Sequence, residues 1–257
     1  MANSPSGESM TERLVRVLAT FSEDRPSQTA AQIGRRAGLP SSTAHRIVDD
    51  LVATGLLERD GRGRVRLGMR LWELAHRGSR ALRLREAALP YMEQVQARIR
   101  EHTQLAVLED GEALFLERLS DPEAGLNVAR IAGRLPLHAS SSGLVLLAHA
   151  PRSVFDAVVA AGLERLTPET IVDPVELEAR LAEVRSRGYV IAHGSVSEVS
   201  TGVAVPVKDR GEVVAALSVV LPRADARAKR AVDVLTAAAN GIGAALARPA
   251  GDTATTR

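Results

Sequence analysis

Apolar residues recur along this chain at two different spacings, and the change from one to the other divides it. Leu14, Val17, Leu18 and Phe21 fall at i, i+3, i+4 and i+7, the signature of one buried face on an amphipathic helix. After Arg25-Pro26, Thr29 and Gln32 form a capping-box pair, predicting a short helix that carries Ile33, Arg35 and Arg36 and stops at Gly38-Leu39-Pro40. A third helix should follow at once: Ser41 or Ser42 can cap it, Ala44, Ile47, Val48, Leu51 and Val52 share one face, and Gly55 closes it. Two short extended runs, 56–59 and 64–67, then flank Asp60-Gly61-Arg62-Gly63, a turn suited to a hairpin. Three helices followed by a hairpin predict a winged helix-turn-helix over residues 10–68.

Helical spacing resumes at Leu71, Leu74 and Ala75 and continues toward Arg100, predicting a linker helix over 69–84 stiff enough to carry a change of orientation. Beyond residue 103 the runs become extended: 105–108 and 113–116 flank Asp110-Gly111, 126–131 adds a candidate third strand, and 203–207 and 213–220 flank Asp209-Arg210-Gly211. Helices are expected near 141–149, 152–161, 175–187 and 225–247. The fold class is therefore α+β: an N-terminal winged helix-turn-helix, a linker helix, and a C-terminal domain over 85–248 built on an antiparallel sheet. Residues 1–9 and 249–257 read as disordered tails.

Composition narrows the function. At 257 residues and 45% apolar content the chain can bury two modest cores. No stretch approaches the roughly 18–20 apolar residues of a membrane span, and the start of the chain is polar, so the expectation is a cytoplasmic protein with no membrane partner. The absence of cysteine excludes disulfides, thiolate nucleophiles and thiolate-ligated metals, and neither a metal site nor a cofactor is expected. The net charge of +2 is unevenly spread: residues 1–85 hold fifteen arginines against nine acidic residues, and the remainder is net acidic. The basic third is the part with the helix-turn-helix pattern.

In such a motif the second helix enters the major groove with its N-terminal residues toward base edges. Here that helix offers Ser41, Ser42, Thr43, His45 and Arg46, and arginine can meet guanine O6 and N7 with two parallel donors, which makes Arg46 the base-reading candidate. Arg35 and Arg36 on the preceding helix and Arg62, Arg64 and Arg66 on the wing complete a phosphate-contacting footprint. Asp49 and Asp50 lie a turn further on, where phosphate would repel them.

The run Ala37-Gly38-Leu39-Pro40-Ser41-Ser42-Thr43-Ala44-His45-Arg46, then Gly55-Leu56-Leu57-Glu58 and Arg66-Leu67-Gly68, resembles the IclR-type transcriptional regulators. Leu135-Pro136-Leu137-His138-Ala139-Ser140 with Gly143, Arg185 to Tyr189, and Ala215-Ala216-Leu217-Ser218-Val219 resemble that family's effector-domain signatures. The resemblance spans about residues 10–247. It implies a GAF-like effector domain, a homodimer or homotetramer, a palindromic double-stranded operator, a repressor rather than an activator, and a small organic-acid effector. It also implies that the backbone amides of Ser141 and Ser142 contact the effector, that Leu135 and Leu137 form an apolar wall, and that Ser218 faces the ligand. The positions matching Ala192, Gly202 and Val220 differ from forms common in the family, and His193 is a further contact candidate. Those differences point to a larger or more apolar acid than glyoxylate, aromatic or acyl.

Two alternatives stay open. A three-helix unit with surface arginines could be a protein-interaction module, and the serines near His138 could in principle form a hydrolase site. Against an enzyme, no Gly-x-Ser-x-Gly or phosphate-binding glycine loop occurs, no catalytic residue is assigned, and serines at a helix start suit anion binding. Serine is also an ordinary helix cap, and a lone histidine such as His138 is most often a structural hydrogen-bond partner.

Overall fold

The computed structural model describes residues 8–124, 129–223 and 225–248. The chain forms two compact units, Met1–Leu82 and Arg83–Arg257. In the first, α1 (Met10–Leu18), α2 (Ala30–Arg36) and α3 (Ser41–Ala53) precede the hairpin of β1 (Leu57–Arg59) and β2 (Val65–Leu67), and α4 (Met69–His76) follows. Val17, Ile33, Ile47, Val48, Leu51, Leu57 and Val65 make the core, the residues that the helical periodicity selects together with one from each wing strand. The Thr29–Gln32 capping box is present. Capping of α3 differs from expectation: Pro40 is the N-cap and makes no side-chain cap bond, so Ser41 and Ser42 sit inside the helix. Proline fixes an extended conformation just before the helix and has no N–H of its own to satisfy.

The linker also differs. Instead of one helix over 69–84, α4 ends at His76 and α5 (Arg80–Ile99) begins after Gly78, with Ser79 Oγ accepting from the Leu82 amide at 3.3 Å. A glycine followed by a capping serine ends one helix and starts another, a signal outweighed in the sequence by the continuous apolar periodicity on either side. 

In the second unit six antiparallel strands lie in the order β5-β4-β3-β8-β7-β6, comprising β3 (His102–Glu109), β4 (Glu112–Leu119), β5 (Arg134–Pro136), β6 (Val190–His193), β7 (Ser200–Asp209) and β8 (Glu212–Pro222). Alternation along the strands sorts two faces. Leu105, Val203, Val205, Leu217 and Val219 face a core shared with Met92 and Val95 of α5 and Leu235 and Ile242 of α9 (Ala228–Ala247). Ala106, Ala204 and Ala216 point the other way, with Leu144 of α6 (Ser141–Ala148), Phe155 of α7 (Arg152–Ala161) and Leu177 of α8 (Pro174–Arg187). One face carries large side chains and the other small ones, so α6 can settle close to the sheet; every residue of α6 is buried.

Two strand expectations need correction. The candidate strand at 126–131 lies partly outside the described residues, and 129–131 are not extended into the sheet; the third strand is β5, at 134–136, paired with β4. β6 was not predicted at all, because four residues closing a sheet edge after the α8 cap at Gly188 give too short an alternation to read.

Candidate DNA-binding surface and effector cavity

Gly34 of α2 lies so close to α3 that a Cβ there would sit 2.8 Å from the Ala44 side chain, which lets the two helices cross tightly. This leaves Ser41, Ser42, His45 and Arg46 exposed and Thr43 half-buried on the first turns of α3. The predicted arginines separate into two groups. The side chains of Arg35, Arg46 and Arg62 are exposed and make no hydrogen bond or ion pair among the described residues. Arg36 instead donates to Gln28 Oε1, and the buried Gln28 donates in turn to the Thr20 carbonyl at 3.0 Å, fixing α2 against the end of α1. Arg64 is bound to Ser27, with Nε on its hydroxyl at 3.0 Å. Arg66 lays Nε and Nη2 on Glu58 Oε2 at 3.0 and 2.9 Å.

The wing is built around two carboxylates. Asp60 Oδ1 accepts from the amides of Arg62 and Arg64, both at 2.9 Å, and these backbone donors hold its pKa below the usual carboxylate range. Glu58 accepts from the Met69 amide and from Arg66, and its pKa is likewise lowered, chiefly by Met69. With both folded pKa values depressed, their contribution to the hairpin is complete above the ordinary carboxylate range and is lost as pH falls through the folded values. Arg59 also pairs with Asp49 at 2.6 Å, so the acid expected to repel phosphate is partly neutralised by the wing. Glu58→Gln is expected to free the charge of Arg66 and make the log–log salt slope of nonspecific DNA binding steeper by roughly 0.9. Fluorescence anisotropy on random duplex across several salt concentrations checks this, and an unchanged slope would show that Arg66, even when released from Glu58, does not reach phosphate.

In the second unit, the N-terminus of α6 faces a cavity that is partly open to solvent. Ser140 is the N-cap, its hydroxyl accepting from the Gly143 amide at 3.0 Å. The amides of Ser141 and Ser142 have no acceptor among the described residues and mark the positive end of the helix. Gly202 on β7 explains the approach: a Cβ there would lie 2.5 Å from Ser141 Oγ. One of the positions noted above as differing from forms common in the family thus admits the helix to the sheet.

Of the predicted effector residues, Leu135, Ser141, Ser142, Ala192, Gly202 and Val220 line this cavity together. Leu137 does not; it is 1% exposed and packs in the core beside α6. Ser218 is fully buried behind the wall, accepting from Ser142 Oγ at 2.9 Å. His193 faces a separate, more open groove over α8, where its Nδ1 contacts Thr201 Oγ1 at 3.0 Å. That groove carries Glu169, Glu176 and Glu183, a poor setting for an anion, and its one arginine, Arg180, is bound to Glu183 and to the Ile191 carbonyl. His138 Nε2 lies 2.9 Å from the Glu164 carbonyl oxygen, the structural role expected of it.

Sequence reasoning missed Gln104, Phe115 and the serines 195, 197 and 200. The serines follow β6, itself unpredicted, and their spacing in Ser195-Val196-Ser197-Glu198-Val199-Ser200 was the available signal. Gln104 was missed because β3 begins at His102, three residues before the start of the extended run read from the sequence. No charged side chain lines the cavity among the described residues, so an acid there would be held by amides and hydroxyls.

Comparison with known proteins supplies the family. Residues 78–244 match the family described as bacterial transcriptional regulator IclR C-terminal, and residues 11–61 match the IclR helix-turn-helix domain. An IclR homolog from Microbacterium hydrocarbonoxydans, solved in complex with 4-hydroxybenzoate, is 59% identical and superimposes with a TM-score of 0.88 over 93% of this chain and 99% of that one. The Pca regulon regulatory protein of Pseudomonas putida is 30% identical over 206 residues, 79% of this chain and 70% of its own. The transcriptional repressor IclR of Escherichia coli (strain K12) is 28% identical over 186 residues, 71% and 68% of the two chains. With a helix-turn-helix whose second helix is exposed at its first turns, a cavity at the start of α6 and both family domains in order, this chain belongs to the IclR family of DNA-binding transcriptional regulators.

Proposed function

We propose that this regulator is a cytoplasmic homodimer, acting as a repressor, whose operator affinity is set by an aromatic carboxylic acid bound in the α6 cavity. The observation that carries the effector class is the pair of amides at Ser141 and Ser142, without an acceptor among the described residues, in a cavity that Phe115 also lines and that has no cation among its described residues. Two amide donors and a helix dipole suit one carboxylate, and Phe115, Leu135 and Val220 give an aromatic ring its apolar surface. The 59% identical neighbour holding 4-hydroxybenzoate supports the same class.

On the DNA side, Arg46 reads bases, with Ser41, Ser42, Thr43 and His45 around it; Arg35 and Arg62 contact phosphates, and Arg36, Arg64 and Arg66 position the elements that do. The dimer partner is a second copy seated on α4, which buries none of its own residues and exposes Met69 at 62% and Trp72 at 56%. A two-fold protein then meets a two-fold operator. Catalysis is not part of this reading: the Ser142 hydroxyl donates to Ser218 rather than to a base.

Calorimetric titration tests the effector class. Benzoate-type acids should bind and glyoxylate and pyruvate should not; tight binding of the two small acids with none of the aromatic ones would contradict it.

A further inference from the structure

Gln104 is the third residue of β3, 3% exposed, opposite Ser218 of β8. Its amide is oriented by a chain of bonds that begins at the effector cavity: Ser142 Oγ donates to Ser218 Oγ at 2.9 Å, and Ser218 Oγ donates to Gln104 Oε1 at 3.4 Å. With the oxygen committed to Ser218, the nitrogen is turned away from it. That nitrogen, Nε2, is buried and has no hydrogen-bond partner among the described residues. Gln104 also lines the cavity. A buried donor without an acceptor is costly to keep, and among the described residues the neutral wall of the cavity holds no other side-chain amide to share the task.

We infer that Gln104 determines effector specificity by donating from Nε2 to an oxygen on the ring of the acid, separate from the carboxylate held at Ser141 and Ser142. The inference rests on the aromatic-acid reading above and deepens it, since it names the second polar group the acid must carry. The Ser141 and Ser142 amides already offer two donors to a carboxylate, so the third buried donor is left for another acceptor. A phenol or carbonyl oxygen satisfies it, whereas a methyl group of similar size leaves it unpaired. Discrimination of this kind arises from the penalty on the analogue that lacks the acceptor, more than from extra attraction to the one that has it.

The test is calorimetry with 4-hydroxybenzoate and 4-methylbenzoate, on the full-length protein and on Gln104→Leu and Gln104→Met, with thermal unfolding of each variant as the check on folding. The wild-type protein is expected to bind the hydroxy acid about tenfold or more tighter than the methyl acid. Both variants should bring that ratio to about one by losing affinity for 4-hydroxybenzoate while retaining 4-methylbenzoate. A wild-type ratio near one overturns the inference whatever the variants do. So does an unchanged ratio in a folded variant, or an equal loss of both acids, which would place Gln104 at the carboxylate. If the wild-type protein binds neither aromatic acid, the effector reading fails together with the inference, an outcome distinct from the other three.

Discussion

Arg46→Ala is expected to lower affinity for the specific operator by about 1–3 kcal/mol, roughly 5–150-fold, while changing affinity for random duplex far less. The reason is its position. Arg46 follows Ser42 by one helical turn on the exposed side of α3, and its guanidinium has no partner within the described chain, so removing it breaks nothing in the fold. The loss should appear wholly in DNA binding, with the unfolding temperature unchanged. Arg64→Ala offers the contrast, because it releases Ser27 and should loosen the wing as well as weaken all DNA alike. Anisotropy on operator and scrambled duplexes reads both variants. Equal losses on the two duplexes for Arg46→Ala would make Arg46 a phosphate contact.

Gly143→Ala should destabilise the effector domain by about 1–3 kcal/mol. A Cβ at this position would lie 2.6 Å from both the Cα and the carbonyl oxygen of Leu137 and 2.7 Å from the Ser140 hydroxyl. The first two are backbone atoms and cannot rotate away. Overpacking of this kind costs about 1–3 kcal/mol, and displacing Ser140 from the Gly143 amide costs about another 1. The gain of up to about 1 kcal/mol from replacing glycine in a helix offsets only part of this. Because the substitution strains the first turn of α6, it should weaken effector binding too. Thermal unfolding and calorimetry check it, with Gly61→Ala as the control, since a Cβ there meets nothing within 4 Å. An unfolding temperature no lower than the control's would remove the close approach from the account.

The N-terminal domain was far more legible in the sequence than the cavity, and the difference is physical. Its core residues are local in sequence: Ile33, Ile47, Val48 and Leu51 announce themselves by helical period, and the wing turn by its glycines. The cavity instead joins β3, β4, β5, β6, β7, β8 and the start of α6, segments as far apart in the chain as Gln104 and Val220. Single-strand alternation does not reveal which polar residue will face which helix. Of the residues that resemblance to a family singled out, Ser141, Ser142, Ala192, Gly202 and Val220 line the cavity, whereas Leu137 and Ser218 lie buried behind its wall. What decided those two was the depth of burial of α6, which follows from the small side chains on the sheet face beneath it and is invisible in any local pattern. The split of the linker at Gly78 was legible and was overridden by the apolar repeat on both sides.

The most direct test of an effector-controlled operator switch is anisotropy of the full-length protein on DNA from upstream of its own gene, against scrambled duplex, with and without saturating 4-hydroxybenzoate at fixed salt. The account predicts a large preference for the native fragment and a shift in its affinity of roughly 5–150-fold when the acid is added, the usual range for coupling between two sites. The same operator affinity with and without an acid that calorimetry shows to be bound would contradict it.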